Sequence, residues 1–353
     1  MTKKLMGEKT MLKLETALMS LKLTEPFRIS RGVQHFTQQV VVHLHGPGQV
    51  GLGEAAPSSF YGENQETVLA CLATYAEHLG DDPFALEEIL TGLENVIHRN
   101  AAARAAVDMA LYDLVGKLLG VPVYKLLGVN PAKTPCTSFT IGLDTPAEMA
   151  RKAEQAKDFP ILKVKLGSRQ DLDCIKAIRD VSNATIRVDA NTGWTLKEAI
   201  KLIEALEPYQ IEFVEQPLPP SDLEGLRLLR EHSPLPIFAD ESCVTLEDIP
   251  RVVGCVDGIN IKLMKCGGIR QALKMIHAAR AHHLQIMLGC MIESSLAITA
   301  AAHLSPLVDY ADLDGHLLVD NDPYQGVQVE TGKLVLPAGP GLGVLPTPAI
   351  HSL

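Results

Sequence analysis

The sequence has few aromatic residues, 5% of the total with a single tryptophan, and it lacks a basic cluster, a paired-cysteine motif and any long apolar run. Each absence excludes something. The formal net charge is −10, from 42 acidic against 32 basic residues, so neither nucleic acid nor an anionic membrane surface is an expected partner. The seven cysteines (Cys71, Cys136, Cys174, Cys243, Cys255, Cys266 and Cys290) are odd in number, scattered and free of any Cys-x-x-Cys pair, which reads as reduced cytosolic thiols. No stretch approaches the roughly 18 consecutive apolar residues of a membrane span. Residues 1–9 open with basic side chains but have no apolar core behind them, so no signal peptide is expected and the localisation expected is cytoplasmic.

What the sequence does hold is length and hydrophobic material: 353 residues, 46% of them hydrophobic, suffice for a barrel, roughly 100 residues more, and two cores. The organising pattern is a short β-branched run that ends in an acidic residue. It occurs at residues 186–191, 211–217 and 236–242, and its carboxylates Asp189, Glu215 and Asp240 stand 26 and then 25 residues apart. That interval accommodates a strand, a loop, a helix and a return loop, the repeat of a (β/α) barrel. The register extends back to a run ending at Lys165 and forward to one ending at Lys262. Weaker strand candidates at 137–141, 285–289 and 308–312 bring the ring to eight.

Before the barrel, residues 11–56 read as an antiparallel meander with Gly/Pro turns, followed by helical periodicity over 65–79, 83–93 and 100–119. Loops at 25–32 and 57–63 are candidate lids. The expected division is an α+β capping domain over 1–130, a barrel over 131–320, and a segment 321–353 that completes the cap. Within that last segment, 327–336 reads as a hairpin and 337–348 as a Gly/Pro-rich tail packing back on the cap.

Reactive groups of such barrels gather at the carboxyl ends of the strands. Three carboxylates there, with no His or Cys among them, describe a site for a hard cation, Mg²⁺ by preference, and Asn191 is placed to support it from behind. Lys163 and Lys165 are two apart on one strand and therefore share a face. Adjacent buried ammonium groups lower each other's pKa, which suits a general base. Lys262 lies across the ring beyond three intervening strands and addresses the opposite face of whatever the cation holds. Two bases flanking a cation-bound carboxylate suggest removal and return of an α-proton through an enediolate, and the product is the epimer.

Lys163-Val164-Lys165, Asp189-Ala190-Asn191, Glu215-Gln216-Pro217, Asp240-Glu241-Ser242 and the run 260–268 resemble the enolase superfamily, muconate-lactonizing-enzyme subgroup, and the likeness spans nearly the whole chain. The resemblance implies an α/β fold, a modified (β/α)7β TIM-type barrel under an α+β cap. It also implies Lys262 rather than Lys265 as the second acid/base lysine, Lys163 as support for Lys165, and Thr140 in contact with substrate. Asp312-Leu313-Asp314 resembles the Asp-x-Asp signature of dipeptide epimerases, two carboxylates placed for the ammonium of a dipeptide. Arg31 stands where some epimerases of L-Ala-D/L-Glu, a murein peptide unit, carry an arginine for the glutamate side chain. Arg28 is close by, and Phe27, Phe60 and Tyr61 offer a hydrophobic pocket instead. The resemblance thus implies a Mg²⁺-dependent isomerase acting on a dipeptide, possible as a homo-oligomer. The alternatives are an epimerase of hydrophobic or cationic dipeptides, a lyase or cycloisomerase such as o-succinylbenzoate synthase or muconate cycloisomerase, and a non-catalytic scaffold on the same fold.

Overall fold

The computed structural model describes residues 11–348, so the segment 1–9 read for a signal lies outside the described residues. The meander forms as a three-stranded antiparallel sheet of β1 (Lys13–Ile29), β2 (Gly32–Gly46) and β3 (Gln49–Ala55). One expectation is corrected here: most of 25–32 is strand, and the turn is only Ser30 and Arg31. The β1–β2 register shifts between Lys22 and Phe27, which puts Pro26 in the irregular stretch where its missing N–H costs no ladder bond. The hairpin therefore extends well past the sheet it starts from.

Against this sheet pack α1 (Gln65–Tyr75) and α3 (Ala101–Leu119), with α2 (Leu86–Val96) and α4 (Val123–Leu126) against α3. Small side chains bring α3 close. A Cβ added to Gly53 of β3 would stand 1.9 Å from the Ala106 carbonyl oxygen, so this crossing tolerates only glycine.

All eight barrel strands form, parallel and in chain order: β4 (Phe139–Ile141), β5 (Ile161–Lys165), β6 (Thr185–Asp189), β7 (Ile211–Glu215), β8 (Ile237–Ala239), β9 (Gly258–Lys262), β10 (Gln285–Gly289) and β11 (Tyr310–Asp312). The ring meets where Thr137 bridges Ala311 and the Ser138 N–H donates to the Ala311 carbonyl at 3.2 Å. Helices α5 (Pro146–Gln155), α6 (Asp171–Val181), α7 (Leu196–Leu206), α8 (Leu223–His232), α9 (Ile249–Val252), α10 (Leu263–Cys266), α11 (Ile269–Ala281) and α12 (Ser295–Ala302) follow the first seven strands. After β11 there is one 3₁₀ turn, Gly315–Leu318, in place of an eighth helix, which is the (β/α)7β pattern.

Inside the ring, Arg187 lies between the Phe213 and Tyr310 rings at 5.4 and 5.0 Å, and Phe213 stacks on Phe238 at 4.2 Å. This layer floors the barrel. Two residues farther along their strands, and so on the same inner face, come Asp189, Glu215 and Asp312.

The carboxyl-terminal hairpin pairs Gln328–Glu330 with Lys333–Val335, and the tail returns to the cap. The Val123 N–H donates to the Gly341 carbonyl at 2.8 Å, and the Leu342 N–H donates to Asp113 Oδ1 at 2.7 Å. His303, next after α12, locks this seam. Its Nδ1 faces the Tyr124 N–H at 3.2 Å and must accept, so Nε2 carries the hydrogen and donates to the Leu342 carbonyl at 3.1 Å. Burial holds its pKa down at about 4. The ordinary value is about 6.5, so between the two the unfolded chain binds the proton first and stability falls as pH falls. We expect His303 to contribute about 2 kcal/mol of destabilisation on going from pH 7 to pH 5. Urea unfolding of wild type and His303→Gln at both pH values checks this: the variant should lose less stability than wild type by about that amount, and equal losses would refute the assignment.

Candidate active site

The strand ends bring the expected carboxylates together. Asp189, Glu215 and Asp240 each offer an oxygen within 4.8 Å of the others, and all three are at most 1% exposed. Asp240 lies one residue past β8, at the start of the loop. Its position is set by Gln216, whose Oε1 accepts the Asp240 N–H at 2.9 Å and the Ser242 N–H at 3.0 Å. Gln216 has φ 36° and Asn191 φ 44°, so the chain turns left-handed directly after two of these strands.

Four lysines surround the cluster in two pairs. Lys163 borders the cavity but is taken up by carboxylates, and Lys265 lies behind it in the protein. Lys163 Nζ lies 2.7 Å from Glu215 Oε2, 2.7 Å from Asp312 Oδ2 and 3.2 Å from Asp189 Oδ2. Lys265 Nζ donates to Asp240 Oδ1 at 2.6 Å and to the carbonyls of Asp240, Asn260 and Cys243. Lys165 and Lys262 line a cavity of about 370 Å³, with Lys165 Nζ 2.6 Å from Asp189 Oδ2 and Lys262 Nζ 2.8 Å from Asp240 Oδ2. They come from β5 and β9, opposite members of the eight-strand ring. Lys265 does not line the cavity and Lys262 does.

The facing carboxylates and burial act in opposite directions on the buried groups. Burial works to strip Lys163 of its proton, but Asp312, Glu215 and Asp189 outweigh it and hold its pKa well above the ordinary lysine value. Lys262 is likewise raised, because Asp240 outweighs its burial. Asp189 is pushed up by burial and pulled down farther by Lys165 and Lys163, to about 2. Glu215 goes the other way, to about 7, through burial and the charge of Asp189.

Asp312 and Asp314 separate in role. Asp312 is engaged on both oxygens, by Lys163 and by the Ser138 hydroxyl at 2.7 Å. Asp314 Oδ2 accepts the Thr140 N–H at 2.6 Å, and burial together with the charge of Asp312 pushes its pKa up to about 7. Both line the cavity, as does Thr140. Asn191 supports Asp189 through its backbone, the N–H donating to Asp189 Oδ1 at 2.8 Å, rather than through its amide.

Arg31 reaches the cavity from the hairpin tip. Its Nη1 donates to Glu241 Oε1 at 2.7 Å and to the Asn191 carbonyl at 3.1 Å, and the guanidinium lies 4.4 Å over the Phe60 ring. Arg28 does not line the cavity. Sequence reasoning missed Asn260, whose Nδ2 donates to Glu215 Oε1 at 2.7 Å; its only signal was its place two residues before Lys262 on one strand face. It also missed Glu293, which burial, with a smaller push from Glu54, raises to about 8.

Residues 13–128 match the mandelate racemase / muconate lactonizing enzyme N-terminal domain, and residues 147–350 match the enolase C-terminal domain-like family. The chain belongs to this family. An L-Ala-D/L-Glu epimerase of Bacteroides thetaiotaomicron is 45% identical over 92% of this chain and 85% of its own. The crystal structure of a dipeptide epimerase from Cytophaga hutchinsonii, complexed with Mg and the dipeptide D-Ala-L-Val, superposes with TM-score 0.92 at 32% identity over 97% of both chains. That of a dipeptide epimerase from Enterococcus faecalis, complexed with Mg and L-Leu-L-Tyr, superposes with TM-score 0.91 at 37% identity over 95% of this chain and 99% of the other. As a member of the family this chain is an isomerase of the racemase and epimerase class.

The acidic cluster suits a hard cation on its own chemistry. It has three oxygen donors and no His or Cys, and burial together with the charge of Asp189 keeps Glu215 near 7. Asn260 holds the Glu215 carboxylate in orientation, so Asn260→Ala should weaken divalent-cation binding about 10- to 100-fold. Calorimetric titration with Mg²⁺ or Mn²⁺ checks this, and an unchanged affinity in a folded variant would be the contrary result.

Proposed function

We propose that the chain is a Mg²⁺-dependent dipeptide epimerase that inverts the α-carbon of the C-terminal residue, with L-Ala-D/L-Glu, a murein peptide unit, as its substrate. The observation that carries this reading is the placement of Lys165 and Lys262 at opposite sides of the ring, both in the cavity, with the acidic cluster between them. The same reading divides the chain into a cap of residues 1–130 completed by 321–353 and a catalytic barrel of 131–320.

Asp189, Glu215 and Asp240 hold the cation. Bound there, Mg²⁺ supplies a Lewis acid for the charge that develops on the substrate carboxylate, and it shares the carboxylates on which the lysines rest. Lys165 takes the α-proton from one face and Lys262 delivers a proton to the other; in the reverse direction they exchange tasks. Lys163 stays charged and keeps Asp189, Glu215 and Asp312 in place. Asp314 receives the substrate ammonium, since Asp312 is already engaged by Lys163 and Ser138. Thr140 fixes Asp314 and borders the same space. Substrates of the lyases and cycloisomerases carry no ammonium group, and a buried Asp314 would face them unpaired.

Arg31 supports the glutamyl side chain: one nitrogen is fixed by Glu241 and Asn191, and the rest of the fork remains for a carboxylate. A second reading, a hydrophobic dipeptide, is favoured by Glu241 offsetting that positive charge and by Phe27 and Phe36 in the lining. Proton NMR in D₂O with Mg²⁺ separates the two. We expect the C-terminal α-proton of L-Ala-L-Glu to disappear by exchange, and exchange confined to apolar dipeptides would transfer the reading to the second.

Two substitutions test the roles. Lys165→Ala and Lys262→Ala should each lower epimerisation by about 10³-fold with the fold and cation affinity retained, within the range that a general acid or base contributes; full activity in either variant defeats the two-base mechanism. Asp314→Asn should raise KM for dipeptides at least about tenfold and leave cation affinity intact, because it removes a charge-assisted contact to the ammonium. An unchanged KM would remove that contact from the mechanism.

A further inference from the structure

Gln39, on β2 of the cap, is 1% exposed and borders the active-site cavity. Its Nε2 donates to the Ile292 carbonyl at 2.7 Å and to the Thr37 hydroxyl at 2.9 Å. A carbonyl only accepts, so the amide nitrogen is the atom that faces Ile292 and the amide oxygen is left over. Among the described residues nothing donates to this Oε1. A buried acceptor without a donor is costly, and most such atoms in folded proteins are satisfied. Asn191 Oδ1 and Glu241 Oε2 also lack donors, but each belongs to a residue within two positions of a carboxylate of the acidic cluster, where a hydrated cation brings donors. Gln39 belongs to the cap, and its own carbonyl is pinned by Gln65 Nε2 at 2.8 Å.

The loop that Gln39 holds adjoins the carboxylate assigned to the substrate ammonium. Gly315, next after Asp314, packs on residues 290–293: a Cβ on it would collide with the Met291 carbonyl oxygen and stand 3.3 Å from Cys290 Sγ. The Met291 N–H donates to Glu293 Oε1 at 2.7 Å, which closes the loop on itself. Gln39, Met291, Ile292 and Asp314 therefore border one stretch of the cavity. We propose that Gln39 Oε1 accepts the peptide N–H of the substrate, and that this contact makes the enzyme select amide-linked substrates over other α-substituted carboxylates. This rests on the epimerase reading above and deepens it. L-Ala-L-Glu has two kinds of donor at neutral pH, the ammonium and the peptide N–H; its carboxylates and its carbonyl only accept. Asp314 takes the ammonium. The peptide nitrogen, three bonds away, is the donor that remains for Gln39, and it is bonded to the α-carbon whose proton moves. The contact accordingly limits how that carbon turns between Lys165 and Lys262.

The test compares the dipeptide that the full-length enzyme turns over best, L-Ala-L-Glu by the reading above, with its ester isostere, in which the matching 2-hydroxy acid, here L-2-hydroxyglutarate, replaces the second residue. The ester puts an oxygen in place of the N–H and leaves the ammonium and the carboxylates unchanged. α-Proton exchange of both is followed in D₂O, with Mg²⁺ present, for wild type and Gln39→Met, which keeps the length of the side chain and removes the acceptor. A disturbance of the Ile292 loop lowers both substrates alike and cancels in their ratio. We expect the amide-to-ester ratio of kcat/KM to fall at least about tenfold from wild type to Gln39→Met, because a site that hydrogen-bonds a substrate N–H rejects the analogue lacking it by at least that factor. Should Gln39→Met fail to fold by circular dichroism, Gln39→Asn, whose amide is set one methylene back, is read for the same fall. A ratio that the folded variants leave unmoved overturns the Gln39 assignment alone, and equal wild-type KM for amide and ester does so without any variant. Silence of wild type with L-Ala-L-Glu and with apolar dipeptides alike overturns the epimerase reading and this inference with it.

Discussion

The structure depends on one buried ammonium. Lys163 Nζ touches carboxylates from three other strands, Asp189, Glu215 and Asp312, and no water-exposed group shares the load. Taking an ion out of water costs several kcal/mol even after relaxation. A cluster of acids at the mouth of a dry barrel therefore exists only with counter-charge built in. Lys163 supplies it on one side and Lys265, with four hydrogen bonds, on the other. These two lysines are framework. With that charge in place, Lys165 and Lys262 stand at the cavity face, each resting on a carboxylate of the cluster, Asp189 and Asp240.

The floor of the barrel explains why that cluster is stiff. Phe213, Phe238, Tyr310 and the Arg187 guanidinium fill the layer beneath, and the two-residue strand period carries their order upward into the next layer. Above it the chain turns at once, with positive φ at Asn191 and Gln216. Such conformations cost of order 1–3 kcal/mol and persist only where surrounding contacts over-determine them. Here the Gln216 amide supplies those contacts, bonding the loops that carry Glu215 and Asp240 to each other.

Much of this was legible in the chain. Parallel strands buried on both faces read as short β-branched runs, and an acid or lysine at the end of each marks the rim. The eight runs were therefore found, with ends trimmed by up to three residues. The hairpin tip was misread because Pro26 and Gly32 signal turns, and a register shift that absorbs a proline leaves no mark of its own in composition. The partners of Lys163 were less visible: Asp312, which faces it at 2.7 Å, is 149 residues away in the chain. Asn260 carries no charge, and a neutral amide on an inward face gives the eye little.

Asn191 ties selection to chemistry. Its N–H orients Asp189, and its carbonyl accepts from both the Ser30 hydroxyl at 2.8 Å and Arg31 Nη1 at 3.1 Å. The hairpin belongs to the cap, yet its tip is anchored on the barrel, and Arg31 takes its second anchor from Glu241, beside Asp240. Lifting the tip breaks two hydrogen bonds and a partly exposed ion pair, each worth roughly 1 kcal/mol net. The Leu143 N–H adds a further tether, donating to the Arg28 carbonyl at 2.9 Å, and the Arg31 guanidinium rests on the Phe60 ring, so the tip is held against the barrel from several sides. Arg31 and Asp189 thus share one loop residue, Asn191, and a displacement of the hairpin tip is felt at the acidic cluster through it.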